Sequence, residues 1–496
     1  MKRVLGFFAL CVFYTLFANA QDGVVTPKSS AKAAYVDGFT LCSAALARHT
    51  GKWVQTGTFK EEAVFVYAHF INSFQAERPT ILYFTGGPGG HSHNLDMQSR
   101  IATQLGYNLL AFDHRGVGCS RPRTEAMYLD SDFYSSVNVV TDAKAIIDHF
   151  NLKKVSVWGA SYGTVPATIF ASYYPQSVQA VLLEGVFYQF VTTDHMKKLV
   201  DQFWVLLSED TKKKIESYHA YPETRNAPNP VFQVLRDISL NHGQYAQNKF
   251  AAYLNSMSSE LVINRDVLLN WVKQNFPKKI SMATVFPQGV APTDVDAHVY
   301  NTLLAKELGR CTRDFNAVFY KVMNGRILEL KQVEDEDATM ACDELAARNY
   351  ISTFSLQELE KEYIDTENFL IHYEEDISLL YFKNKYYSFG DVPSLYRPEQ
   401  FSIKVPVYYF NGTYDLATPL DLAQKHYRDV NTIPEQSYFL SFDHLGHHPI
   451  LESYDIGSQQ EIECMNALIR SALMGLGIKN KICSAQSLDS FRINIE

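Results

Sequence analysis

The sequence predicts an α/β fold, with a mostly parallel sheet covered by helices on both faces and one large, mostly helical insertion. Three observations carry this. Short, apolar, β-rich segments alternate with helix-period segments through the first part of the chain. The alternation stops near residue 187 and gives way to helical periodicity with few β-rich runs as far as residue 401. It then resumes, and no Pro/Gly/Ser-rich stretch at either junction offers a linker between independent domains.

Taken in order, the N-terminus reads as a processing segment. Lys2 and Arg3 precede an apolar run over 4–17, and Ala18-Asn19-Ala20 supplies a small-x-small cleavage pattern. The run is shorter than the roughly 20 residues a spanning helix needs, so 1–20 is expected to be a signal peptide and the mature chain to begin at Gln21. The product is expected to be secreted or periplasmic, without stable membrane insertion. The first part of the core, 21–186, carries strands at 53–59, 63–70, 80–84, 109–112, 155–158 and 180–183, with helices over 139–150 and from Gly159 to about 174. The insertion, 187–401, has helical patterns at 196–207, 231–240 and 245–257. The second part of the core, 402–496, has strands at 405–410 and 437–440 and helices over 419–427 and 459–476.

Composition narrows the partners. The 496 residues are 46% hydrophobic and 20% charged, a globular balance, with net charge −9. Lys and Arg are scattered, so no basic face exists to displace counterions from nucleic acid. Once Cys11 leaves with the signal, Cys42, Cys119, Cys311, Cys342, Cys464 and Cys483 remain. An even number in an exported chain reads as disulfides. Pairing neighbours in sequence gives Cys42 with Cys119, Cys311 with Cys342 and Cys464 with Cys483. With no C-x-x-C and no His-rich tract, neither a metal nor another cofactor is expected.

Gly159-Ala160-Ser161-Tyr162-Gly163 matches G-x-S-x-G between a strand and a helix, the nucleophile elbow of the α/β-hydrolase fold. The backbone turns so sharply there that a side chain two residues before or after the serine would collide with its surroundings. A serine nucleophile needs a base, an acid to orient that base, and donors for the developing oxyanion. In this fold the partners follow in the order Ser, Asp, His. Asp415 follows the strand at 405–410, and His447 follows the strand at 437–440. Both strand ends are expected at the sheet edge that carries the elbow. Gly446 before His447 favours it over His444 and His448, and Asp421 and Asp443 are the substitutes for Asp415.

The oxyanion requirement points to the loop Gly86-Gly87-Pro88-Gly89-Gly90, where backbone can approach a scissile carbonyl closely. Pro88 has no N–H, so the donor is Gly87 or Gly86, with the N–H of Tyr162 as the second.

Four blocks now stand in order: GGPGG, DHRGVGCS, GASYG, and YDLATP followed by GH. Together the chain resembles the proline iminopeptidase family of α/β-hydrolase serine peptidases, and within it the secreted tripeptidyl aminopeptidase-like branch. The likeness covers most of the mature chain. Two departures stand out: Thr85 replaces the histidine usual before the double glycine, and Cys342-Asp343 lacks the spacer of the branch's C-x-D segment. The resemblance implies hydrolysis of a peptide with a free N-terminus through an acyl-enzyme, with the insertion acting as a cap that limits substrate length. An aminopeptidase needs an anion for the substrate's ammonium group. Candidates are Glu184, after the strand that follows the elbow, and the acidic stretches 334–337 and 374–376. Asp113 and Arg115 read as structural, an Asp-x-Arg turn closed by an internal ion pair.

Two other functions fit the same sequence. An esterase or lipase would share the triad and differ only in cap and pocket. A non-catalytic binding protein would be expected to lack a triad or oxyanion element, and none is missing. Dehalogenases and epoxide hydrolases of this fold use a carboxylate nucleophile, whereas the elbow here holds serine.

Overall fold

The computed structural model describes residues 51–86, 92, 95–115, 120, 123–124, 127, 133, 135–188, 201–217, 230–257, 265–275, 396–415, 417–478, 483 and 493–495. The expected signal segment lies outside these, as do Cys42, Cys119, Cys311, Cys342, Gly87 and the acidic stretches 334–337 and 374–376.

The strands are β1 (Lys52–Phe59), β2 (Glu62–Phe70), β3 (Thr80–Phe84), β4 (Asn108–Phe112), β5 (Val155–Ala160), β6 (Val178–Glu184), β7 (Val407–Gly412), β8 (Ser437–Phe442) and β9 (Ile493–Ile495). Among the described residues they form one sheet in the order β1-β2-β4-β3-β5-β6-β7-β8-β9. From β4 to β8 every neighbouring pair is parallel. The flanking pairs β1–β2, β2–β4 and β8–β9 are antiparallel.

Sequence explains which strands lie where. β3, β4 and β5 are buried at every position, as expected of short apolar strands with both faces covered. β1, at the edge, buries only Val54 and Thr56. Helices α2 (Ser136–His149), α3 (Thr164–Tyr173) and α7 (Leu420–Asp429) put Val139, Val165 and Ala423 into the core on one face. Helices α1 (Asp96–Leu105), α8 (Pro449–Ile456) and α9 (Gln459–Met474) put Ile101, Ile450 and Leu468 into the core on the other. α9 starts with a full capping box, Ser458 and Glu461 satisfying each other's backbone N–H groups. Its Cys464 is bonded to Cys483, the pairing expected from sequence proximity.

The insertion's described helices are α4 (Glu209–Ser217), α5 (Pro230–Ser256) and α6 (Arg265–Asn275). They share a separate apolar cluster in which Phe203, Phe250 and Trp271 pack together. The two helical patterns at 231–240 and 245–257 become one element bent at Gly243. Among the described residues, the helices α1, α4, α6 and α8 and the three-residue strand β9 were not among the elements anticipated.

One expectation is corrected. Arg115 does not close a turn with Asp113. Its guanidinium grips Asp142 of α2 through two hydrogen bonds, Nε at 2.6 Å and Nη2 at 2.8 Å. The carboxylate of Asp113 instead accepts the N–H and the hydroxyl of Ser92, both at 2.8 Å.

Candidate active site

Ser161 directly follows β5 and opens the helical turn 161–163 that leads into α3. Its φ is +55°, a left-handed conformation that costs a non-glycine residue about 1–3 kcal/mol. Close packing holds it there. A β-carbon on Gly163 would stand 2.1 Å from the carbonyl oxygen of Phe84, and one on Gly159 would stand 2.5 Å from that of Gly163. The elbow is therefore wedged against the end of β3, which explains the small residues on either side of the serine. Tyr162 is buried, with its hydroxyl 2.9 Å from Ser136 Oγ at the start of α2, so the peptide after Ser161 is anchored from below. Gly86 lies against the serine side chain: a β-carbon there would stand 3.1 Å from Ser161 Cβ and 3.7 Å from Oγ. The start of the glycine loop is thus beside the nucleophile position. Gly87, expected as a donor, lies outside the described residues.

Asp415 follows β7 on a loop that its own carboxylate closes. Oδ1 accepts the N–H groups of Ala417 (2.9 Å) and Thr418 (2.8 Å), while the Thr418 hydroxyl donates to Oδ2. His447 Nδ1 lies 3.0 Å from Oδ1 and 2.9 Å from Oδ2 of the same carboxylate. The donor on Nδ1 fixes the neutral tautomer, leaving the lone pair on Nε2. Burial alone depresses the pKa of His447. The negative charge and hydrogen bond of Asp415, aided by Glu184, outweigh that and leave it above the ordinary histidine value.

The structure brings Asp415 and His447 into contact at the ends of β7 and β8, and places Ser161 at the end of β5, with β6 between. Ala160 of β5 pairs with Glu184 of β6, so Ser161 and Gly185 are the next residues along adjacent strands. Gly185 lies under the imidazole, where a β-carbon would come within 3.0 Å of both Cε1 and Nδ1 of His447. Adjacent strands run about 5 Å apart, so hydroxyl and imidazole occupy one rim of the sheet. No hydrogen bond joins Ser161 to His447 among the described residues. Such contacts are often long in free enzymes and tighten when substrate binds.

The substitutes fall elsewhere. His444 is exposed. His448 packs its ring on His447 at 4.5 Å, and burial holds its pKa well below the usual value. Asp443 accepts from Asn494, and Asp421 is exposed in the first turn of α7.

Glu184 does not sit where a substrate ammonium could reach it. It is fully buried, with Oε2 accepting from Trp158 Nε1 and Oε1 from the N–H of Ile450, both at 3.1 Å. Burial pushes its carboxyl up to about 7 against these two hydrogen bonds. Glu452 was not singled out from the sequence. It is also buried, pushed up to about 8 by desolvation, and accepts the N–H of Gly446 at 2.8 Å. Nothing in its local pattern marks it, because its partners are backbone groups. Among the described residues no cluster of His, Cys, Asp or Glu is arranged to hold a metal ion.

Comparison with known proteins agrees with this geometry. Residues 79–218, which contain β3 to β6 and the elbow, match the alpha/beta hydrolase fold family. An alpha/beta hydrolase domain-containing protein of Arabidopsis thaliana is 27% identical over 142 residues, covering 27% of this chain and 42% of that one. A proline iminopeptidase of Lactobacillus helveticus is 24% identical over 112 residues, 22% of this chain and 37% of that one. A lysophosphatidylserine lipase of Danio rerio is 31% identical over 124 residues, 24% of this chain and 30% of that one. The chain thus spans about two fifths or less of the length of these relatives. With a parallel sheet of this order, a left-handed serine at the strand–helix elbow and the matching family segment, this chain is a protein of the α/β-hydrolase fold.

Proposed function

We propose that the chain is an exported serine peptidase of aminopeptidase type, acting on peptides with a free N-terminus. The observation that carries the proposal is the Asp415–His447 couple at the rim where Ser161 is held at positive φ. In this reading Ser161 Oγ attacks the scissile carbonyl as His447 Nε2 takes its proton. The tetrahedral oxyanion is met by the N–H of Tyr162 and by the glycine loop, Gly87 or Gly86. His447 then returns the proton to the leaving amine, an acyl-enzyme remains on Ser161, and water deacylates it by the same route. Asp415 holds the imidazole through Nδ1 and stabilises the imidazolium.

The peptidase preference rests on the GGPGG loop, the Ser-Tyr of the elbow and the proline iminopeptidase relative. Export rests on the N-terminal pattern and on the Cys464–Cys483 bond, which fits an oxidising compartment. One observation favours a second reading, an esterase or lipase: Glu184 is committed inside the core, so no ammonium anchor is supplied there. Turnover of an aminoacyl anilide against a p-nitrophenyl ester separates the two. The peptidase reading expects hydrolysis of N-terminally free anilides and loss of it on N-acetylation. Ester turnover alone would replace it with the second.

A further inference from the structure

The loop that delivers His447 is held from the inside by a carboxyl group that the reaction does not use. Glu452, in the first turn of α8, is 2% exposed. Its Oε2 accepts the N–H of Gly446 at 2.8 Å, and its Oε1 accepts the N–H of His448 at 3.4 Å. One side chain thus takes the N–H groups of the residues immediately before and after His447. Its own N–H donates to His448 O at 2.9 Å, so loop and helix form one closed unit. Glu184 ties the same turn to β6 through the N–H of Ile450.

A buried carboxyl is an expensive group to use as a spacer. What it offers here is two acceptor oxygens on one carbon. Two convergent N–H donors need that, whereas an amide offers one acceptor and an apolar chain none. We propose that Glu452 is a positioning residue for His447: by accepting the N–H groups on both sides of it, Glu452 fixes the imidazole between Asp415 and Ser161. The inference rests on His447 being the base of the proposed function. Nδ1 must stay on Asp415 while Nε2 faces the serine, so a loop shift of about 1 Å breaks one of these contacts, at a cost of about 100-fold in rate.

The test compares Glu452→Gln and Glu452→Met with wild-type full-length protein in p-nitrophenyl ester hydrolysis across pH. Ser161→Ala and the core variant Leu468→Ala serve as controls. Gln keeps one acceptor and is expected to lower kcat about tenfold; Met keeps none and is expected to lower it about 100-fold. KM should stay within about twofold. The acid limb of kcat/KM should move to lower pH as Asp415 loosens its hold on His447, with Glu184 and His448 the other groups acting on that ring. Leu468→Ala should lower the melting temperature but leave kcat and the acid limb in place. If Met prevents folding, the near-isosteric Gln variant carries the test. Wild-type kcat in the Glu452 variants, or a loss that Leu468→Ala reproduces at equal destabilisation, overturns the inference. Turnover surviving in Ser161→Ala overturns the proposed function instead, whatever the Glu452 variants do.

Discussion

Gly243 of α5 lies directly on the carbonyl oxygen of His444, so close that a β-carbon would stand 2.1 Å from it. The next N–H, of Gln244, donates to that same oxygen at 3.0 Å. The helical insertion is therefore docked on the loop that carries His447, three residues before the imidazole. Gly243 has φ +51° and ψ −142°, a conformation costly for any residue with a side chain. Gly243→Ala is expected to destabilise by about 1–3 kcal/mol and to slow turnover by loosening this contact. Thermal melts and ester kinetics on the same preparation read both effects.

The elbow glycines allow a sharper comparison. Gly163→Ala would drive a methyl group into the backbone of β3 at Phe84, where no flexible side chain can give way. The expected cost is about 1–3 kcal/mol or more, together with loss of Ser161 reactivity towards a fluorophosphonate. Gly106→Ala, at a left-handed helix end with open space around it, should carry the backbone penalty alone and leave Ser161 reactive.

The pH dependence follows from the Asp415–His447 contact. In the proposed mechanism His447 acts as a neutral base, so kcat/KM should fall as pH drops through its folded pKa. That pKa is raised, so the fall should begin at higher pH than for an unperturbed histidine near 6.5. Asp415→Asn removes the charge responsible and should move this limb to lower pH. It should also cut kcat by about 10⁴-fold through the wrong tautomer. The stability linkage runs the same way: a raised histidine pKa contributes stability below about 6.5, and this is lost as pH rises through the folded pKa.

Arg115 and Asp142 form a buried pair linking the loop after β4 to α2. Removing either partner leaves the other charge buried and uncompensated, an expected loss of about 3–5 kcal/mol. Because neither touches the candidate triad, Asp142→Ala at a temperature where it remains folded should keep the wild-type acid limb of the pH profile. Urea unfolding alongside ester kinetics checks both halves.

These particulars show what a sequence displays and what it conceals. The central strands were legible because both their faces are buried, so runs such as 80–84 are apolar or β-branched at nearly every position. Ser161, Asp415 and His447 were legible because the elbow, the turn after β7 and the glycine before the histidine are local constraints. α1 was not: Leu95 provides no side-chain cap, so no local signal marks where the helix starts. Nor was β9, three residues whose pairing is set by β8 at the far edge of the sheet. Arg115 shows the same limit. A partner two residues away was the local choice, yet the fold brings Asp142 nearer. Glu184 reads as an ammonium anchor from its place after a strand, and only the fold reveals Trp158 and the N–H of Ile450, from distant parts of the chain, as its partners.

Labelling by a fluorophosphonate, followed by mass spectrometry of the modified peptide, tests the catalytic role of Ser161 most directly. The expected result is a single adduct on Ser161, absent from Ser161→Ala and strongly slowed in His447→Ala. An unlabelled wild-type protein that is folded by thermal melt, or an adduct that persists in Ser161→Ala, would contradict it.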